Sequence, residues 1–259
     1  MNSKNELNYK LNDKGLSLVE LIVAISIGVI VSASIAALLT FSIRMYRNES
    51  VNTSMQYELQ TNLNMMMDEI MGASTMVIEQ NTGVSLTDTG KPYTKFAMFG
   101  KVTGSSTKKF TGVIFVSSSA DSDNRFKIYM NRINDEVVPV TDTNPYPGAL
   151  QTFANTQYGI VSGAFATDPN PYLLGENATQ FIIQPDPDAH SFDATEKTYT
   201  NPIEVKVELL FERNGWGTKK YSKHVDDITY LRNKVTDSIF IKNPTDSNFV
   251  EYKVKKKED

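Results

Sequence analysis

Residue types that could carry chemistry are few, and their spacing does not assemble them. The chain has two histidines, His190 and His224, and neither lies in a metal-ligand spacing such as H-E-x-x-H. Each reads as a surface or hydrogen-bonded residue. Serines are plentiful, yet none stands in a Gly-x-Ser-x-Gly elbow, and no phosphate loop or dinucleotide fingerprint is present. Acidic turns occur at Asp121-Ser122-Asp123-Asn124 and at Asp186 and Asp188 around Pro187. Alternating Asp and Asn oxygens suit a hard cation, but neither stretch completes an EF-hand loop, and Asx-type turns are the expected use. Met65, Met66 and Met67 could be read as soft ligands. On a helix only one or two of them share a face, so core packing is the expectation. The reading is therefore of a non-enzymatic chain with no catalytic, cofactor-binding or metal-ligating residues.

The charged group that most needs a cause is Glu20. Residues 1–15 are polar and carry Lys4, Lys10 and Lys14 against Glu6 and Asp13. From residue 16 to residue 43 the chain reads LSLVELIVAISIGVIVSASIAALLTFSI, with no charged residue after Glu20. About 20 apolar residues in a helix cross the hydrocarbon of a bilayer. The run is too long for the apolar region of a cleavable secretory signal. A plain membrane anchor fits the length but explains neither Glu20 nor the abrupt switch from polar to apolar at Gly15 and Leu16. A carboxylate buried in such a run costs several kcal/mol, on the order of a full desolvation penalty, unless a partner neutralises it.

The string Lys14-Gly15-Leu16-Ser17-Leu18-Val19-Glu20, followed by the apolar run, resembles the prepilin cleavage and methylation motif of type IV pilins and type II secretion pseudopilins. The resemblance implies cleavage after Gly15 by a membrane prepilin peptidase, N-methylation of the new terminus at Leu16, and retention of Glu20 inside a filament. Phe is the usual first mature residue in that family, and Leu16 departs from it. The amine created by cleavage and the Glu20 carboxylate would neutralise each other between adjacent subunits. Implied partners are other pilins and minor pilins, the peptidase and methyltransferase, an inner-membrane assembly platform and membrane lipid.

Beyond the apolar run, Val51, Met55, Leu59, Leu63, Met66 and Ile70 recur every three or four positions, with Gln56, Glu58, Gln60, Asn62 and Asp68 between them. That spacing predicts an amphipathic helix, and no proline precedes Pro92 to interrupt it. After Gly72 the composition turns to Thr, Ser, Gly and Asn with short β-branched and aromatic runs, the pattern of strands and turns. Strands are expected over residues 112–117, 125–133, 158–161, 180–184 and 203–213. Asn214-Gly215 suggests a tight hairpin with a return strand over 219–225. The fold class expected is α+β: a long N-terminal helix, transmembrane in its first half and amphipathic in its second, packed against an antiparallel β-rich domain. The divisions are a leader (1–15), a transmembrane or filament-core helix (16–43), an amphipathic helix (44–75), a β-rich outer domain (76–233) and a C-terminal extension (234–259) that adds an edge strand.

Asp68, Glu69 and Ile70 at the helix end, and Ile228-Thr229-Tyr230-Leu231-Arg232-Asn233 near the close of the outer domain, are similar to the PilW and GspJ type of minor pilins. Met71 stands where a basic residue is common in that group. This second resemblance implies a minor pilin that helps prime a filament or forms its tip. Pseudopilins of secretion or DNA-uptake systems and tip adhesins are the alternatives. Some pseudopilins bind calcium in their outer domains, which is why the acidic turns merit a structural check.

Composition sets the remaining bounds. The chain has 259 residues, a formal charge of -4 and no cysteine, which excludes a disulfide framework and a thiolate metal site. Lys108, Lys109 and the run from Lys255 to Lys257 are too scattered for a nucleic-acid footprint on an acidic chain. The implied location is the cytoplasmic membrane, crossed once, with the C-terminal domain on the outer side.

Overall fold

The computed structural model describes residues 17–82, 92–121, 123, 125–146, 148–165, 171–186, 192–193, 196–200, 202–215, 220–231 and 238–255. With no proline to interrupt it, the N-terminal region forms one helix, α1 (Leu18–Met71). Gly72 then closes it, its amide donating to the Asp68 carbonyl. The chain divides into two compact units at residues 49 and 50. The first unit contributes the apolar stretch of α1, which is exposed along its length from Leu18 to Met45.

The second unit contains the amphipathic part of α1 and a large sheet. Its elements are β1 (Thr75–Thr82), β2 (Pro92–Thr103), β3 (Lys109–Ser117), β4 (Phe126–Val137), α2 (Gly148–Ala164), β5 (Tyr172–Pro185), β6 (Phe192–Asp193), β7 (Thr198–Thr200), β8 (Glu204–Asn214), β9 (Lys220–Tyr230), β10 (Ser238–Lys242) and β11 (Val250–Lys255). Among the described residues they form an eleven-stranded sheet in the order β6-β7-β11-β10-β1-β2-β3-β4-β5-β8-β9. Its pairings are antiparallel except β1 with β10 and β7 with β11. The α+β layout read from the sequence is the one observed.

Side-chain alternation assigns each face of the sheet its own core. On one face Met76, Ile78, Ala97, Phe99, Val113 and Phe115 join the α1 stripe of Met55, Leu59, Leu63, Met66 and Ile70. On the other, Val77, Phe96, Met98, Ile114, Val116 and Phe240 meet Ala149, Leu150, Phe153, Ala154 and Val161 of α2. The central strands are therefore buried on both sides. The sheet also curls: Thr94 on β2 bridges to β5, its hydroxyl accepting from the Ile183 amide at 2.7 Å and donating to the Ile183 carbonyl at 3.3 Å. Gly175 on β5 is needed where Phe211 of β8 lies over the backbone, since a Cβ there would meet the ring at 2.2 Å.

Four expectations change. Residues 158–161, read as a strand, lie in α2. Their β-forming types are overridden by the helical spacing of buried Leu150, Phe153, Ala154, Gln157 and Val161. The turn after Asn214 is longer than a two-residue hairpin, because Asn214 pairs with Lys220 and leaves five residues between them. The tail does not merely add an edge: β10 sits inside the sheet, between β1 and β11. Finally, Asn62 faces the core rather than solvent and is 6% exposed. Its side-chain amide donates to the Leu174 carbonyl on β5.

The methionine run behaves as core packing. Met66 is fully buried, and Met65 and Met67 are partly buried against the same cluster. Two ion pairs add to the attachment of the amphipathic stretch to the sheet, Arg132 to Glu69 at 2.6 Å and Arg213 to Glu58. Both are partly exposed, so their contribution is small, about 1 kcal/mol or less each.

Candidate assembly site

Helix α1 begins at a capping box. The Ser17 amide donates to the Glu20 carboxylate at 2.9 Å, and the Glu20 amide donates to the Ser17 hydroxyl at 3.2 Å. Ser17 thus stands at the N-cap and Glu20 at the third helical position, where each satisfies a backbone donor that the first turn leaves unpaired. A negative charge there also complements the positive end of the helix dipole. The capping role was missed at the level of sequence, although Ser-x-x-Glu ahead of an apolar run is its signature. Gly15 and Leu16 lie outside the described residues.

From Leu18 onward the helix surface is apolar on every side. Leu21, Ile22, Val23, Ile25, Ile27, Val29, Ile30 and Val31 are each at least half exposed. Three of the polar side chains in this stretch are turned inward to the backbone: the hydroxyls of Ser26, Ser34 and Thr40 donate to the carbonyls of Ile22, Ile30 and Ala36, each at 2.8 Å. A hydroxyl satisfied in this way carries no open donor into an apolar environment. By length and composition α1 can cross a membrane. A helix apolar all round is suited to burial in lipid or among other apolar helices, which makes this surface, with the Glu20 carboxylate at its start, the candidate site.

Among the described residues, the others singled out from the sequence are not gathered into a site. The Asp121 carboxylate accepts the amides of Asp123 at 2.9 Å and Arg125 at 2.8 Å, which is an Asx-type turn. Asp123 lies 4.0 Å from the Arg125 guanidinium. Ser122 and Asn124 lie outside the described residues, as do Asp188 and His190. Asp186 is buried at the end of β5, its amide donating to the Glu204 carbonyl at 2.9 Å. His224 lies on the exposed face of β9 with Nε2 at 2.9 Å from Glu208, which also accepts from Gln180 at 2.8 Å. Among the described residues no cluster of three or more His, Asp and Glu side chains is placed to hold a metal ion. The clearest displaced titration is structural: burial pushes the Tyr199 phenol well above its ordinary value, with Tyr252 and Asp186 adding to the shift.

Comparison with known proteins agrees with this geometry at the N-terminus. Residues 10–36 match the family model of the prokaryotic N-terminal methylation motif. The match and the exposed apolar helix support a type IV pilin-like, membrane-anchored protein, and imply other pilin subunits and a prepilin peptidase as partners in general terms. No curated protein and no solved structure matches the chain.

Proposed function

We propose that the chain is a minor type IV pilin or pseudopilin, a structural and non-enzymatic subunit. It enters a membrane-rooted filament through α1 and helps prime assembly or occupies the tip. The observation that carries this reading is the conjunction of the methylation motif over residues 10–36 with a helix surface that is exposed from Leu18 to Ile43 and, after Glu20, carries no charge. In this reading residues 1–15 are a leader, removed after Gly15, and Leu16 is the methylated terminus. Residues 16–43 are the membrane and filament segment, 44–75 the segment that holds the amphipathic part of α1, and 76–233 the outer domain, to which 234–259 add sheet strands. The outer domain lies beyond the cytoplasmic membrane, and its size favours low copy number because bulky heads crowd one another on a packed helical lattice. Glu20 faces the terminal amine of an adjacent subunit, where neutralisation offsets the cost of desolvating both charges. Similarity of the helix end and of residues 228–233 to the PilW and GspJ type supports the priming role over that of a major subunit.

Mass spectrometry of the membrane-inserted chain tests the reading. Wild type should have lost residues 1–15 and gained a methyl group at Leu16, whereas Gly15→Leu should retain the leader. An intact Met1 terminus in the wild type, in cells that process other prepilins, overturns it.

A further inference from the structure

Strand β9 is the last strand of the sheet beyond β8, so among the described residues one of its two edges has no strand partner. It runs eleven residues, KYSKHVDDITY, which is long for an edge left unprotected. Its charges are segregated: Lys220, Lys223 and His224 precede Val225, and Asp226 and Asp227 follow it. Three of them are not explained by the neighbouring strand: Lys220 at the strand's start, opposite Asn214, and nearer its centre Lys223 and Asp227. Lys223 stands opposite Phe211 and Asp227 opposite Val207, and neither pairs with an opposite charge among the described residues.

We propose that β9 is a self-association edge, and that its occupant is the β9 of a second copy of this chain, paired antiparallel about Val225. The charge pattern selects that arrangement from the few that geometry permits. Two copies related by a twofold axis normal to the sheet keep the same faces aligned, so residues standing opposite one another must share parity. Only registers centred on a residue qualify. Centred on Val225, Lys223 meets Asp227 of the second copy and His224 meets Asp226, each pair occurring twice. Opposite charges face each other at every charged pair and like charges at none.

Neighbouring registers fail on the same test. Centring on Lys223, His224, Asp226 or Asp227 sets that residue against its own copy. A parallel in-register pairing stacks Lys223 on Lys223 and Asp227 on Asp227. Val225 is also the midpoint of the strand, so the favoured register pairs β9 along its whole length, Lys220 to Tyr230. Ile228 and Tyr230, 42% and 49% exposed, are then set against Ser222 and Lys220, which covers part of their apolar surface. The competing account is that Lys223 and Asp227 are charges that guard the edge against any pairing, and it predicts a monomer.

The test uses the full chain in detergent micelles and does not depend on the filament reading. The wild type should form a dimer by sedimentation velocity. Because the chain has no cysteine, Val225→Cys introduces a lone thiol that should oxidise to a covalent dimer, whereas Tyr221→Cys, set against Thr229, should not. Lys223→Asp and Asp227→Lys each place like charges opposite one another twice and should weaken the dimer about tenfold or more. The double swap Lys223→Asp with Asp227→Lys should restore affinity to within about threefold. A wild-type chain that stays monomeric at all concentrations overturns the proposal. So does a dimer that neither single reversal weakens, because its contact then lies elsewhere on the molecule.

Discussion

Between Leu18 and Met45 the side chains of α1 are exposed on every side, while between Met55 and Ile70 a single stripe of the same helix is buried to within 2%. The two stretches share a backbone geometry and differ both in composition and in how the apolar residues lie around the axis: residues 55–70 intersperse them with Gln, Glu, Asn and Asp, whereas residues 21–43 carry no charge. In the second stretch Met55, Leu59, Leu63, Met66 and Ile70 recur every three or four positions and meet a complementary sheet face, so the apolar surface is satisfied within the chain. In the first stretch no stripe exists, and the satisfying surface must come from outside, from lipid or from other helices. One helix thus contains a stretch buried within the chain and an exposed apolar stretch, and the pattern of residues separates them.

The largest expected effect breaks one element and leaves the other intact. Leu63→Ala should destabilise the sheet unit by about 2 to 5 kcal/mol, because the cavity forms in a close-packed cluster. Ile30→Ala should leave the same unfolding transition within about 0.5 kcal/mol. Ile30→Lys should sharpen the contrast: a lysine at the centre of a membrane helix costs about 2.5 to 3.5 kcal/mol of insertion, which should lower the membrane-bound fraction while the unfolding transition of the sheet stays in place. Thermal denaturation in detergent, alongside membrane fractionation, reads both quantities. If Leu63→Ala and Ile30→Ala had equal effects on unfolding, the division of α1 would be wrong.

Burial can also be probed without disturbing packing. Tyr199 belongs to the core that receives the α1 stripe, and burial raises its folded-state pKa above the unfolded value of 10.0. The folded state therefore holds the phenolic proton where the unfolded state releases it. Stability is unaffected below about pH 10 and falls as pH rises beyond it, by up to about 1.4 kcal/mol per pH unit for one proton. Tyr199→Phe should remove this component and flatten the alkaline slope. Urea midpoints between pH 9 and pH 11 measure it, and an unchanged slope would show that the phenol titrates freely.

The amphipathic stripe and the central sheet show where sequence patterns suffice. The stripe was legible from spacing because helix periodicity is a local property. So was β8, where inward Val205, Val207 and Leu209 alternate with Lys206 and Glu208. Strands β1, β2 and β10 were harder to see. Val77, Phe96 and Phe240 face one core while their immediate neighbours face the other, so burial on both faces erases alternation. The position of β10 against β1 is a parallel pairing between residues more than 160 positions apart, as at Val77 and Phe240, and nothing local encodes it. At the N-terminus Glu20 stood out as a charge ahead of an apolar run, but its partner Ser17 passed as one serine among many. The polar type of Asn62 points to the solvent side, although its position falls within the buried stripe.

The smallest expected effect concerns that first turn, and it separates two roles of one side chain. Glu20 accepts the Ser17 amide as part of the capping box, and in the proposed filament its charge neutralises a neighbouring terminus. Glutamine can fill the same place in a capping box, since its side-chain oxygen also accepts the N-cap amide. Glu20→Gln therefore keeps the helix start and deletes only the charge, whereas Glu20→Ala deletes both, and Ser17→Ala removes the reciprocal bond while keeping the charge. Loss of the cap should cost about 1 kcal/mol of local helix stability, read as faster amide exchange over residues 18–21 in Ser17→Ala and Glu20→Ala but not in Glu20→Gln. Entry into filaments should sort the variants differently: Glu20→Gln and Glu20→Ala should both be excluded, and Ser17→Ala should enter nearly as wild type. If Glu20→Gln assembled normally while Ser17→Ala failed, the carboxylate would matter as a cap and not as a charge, and the pairing with a neighbouring amine would have to be abandoned.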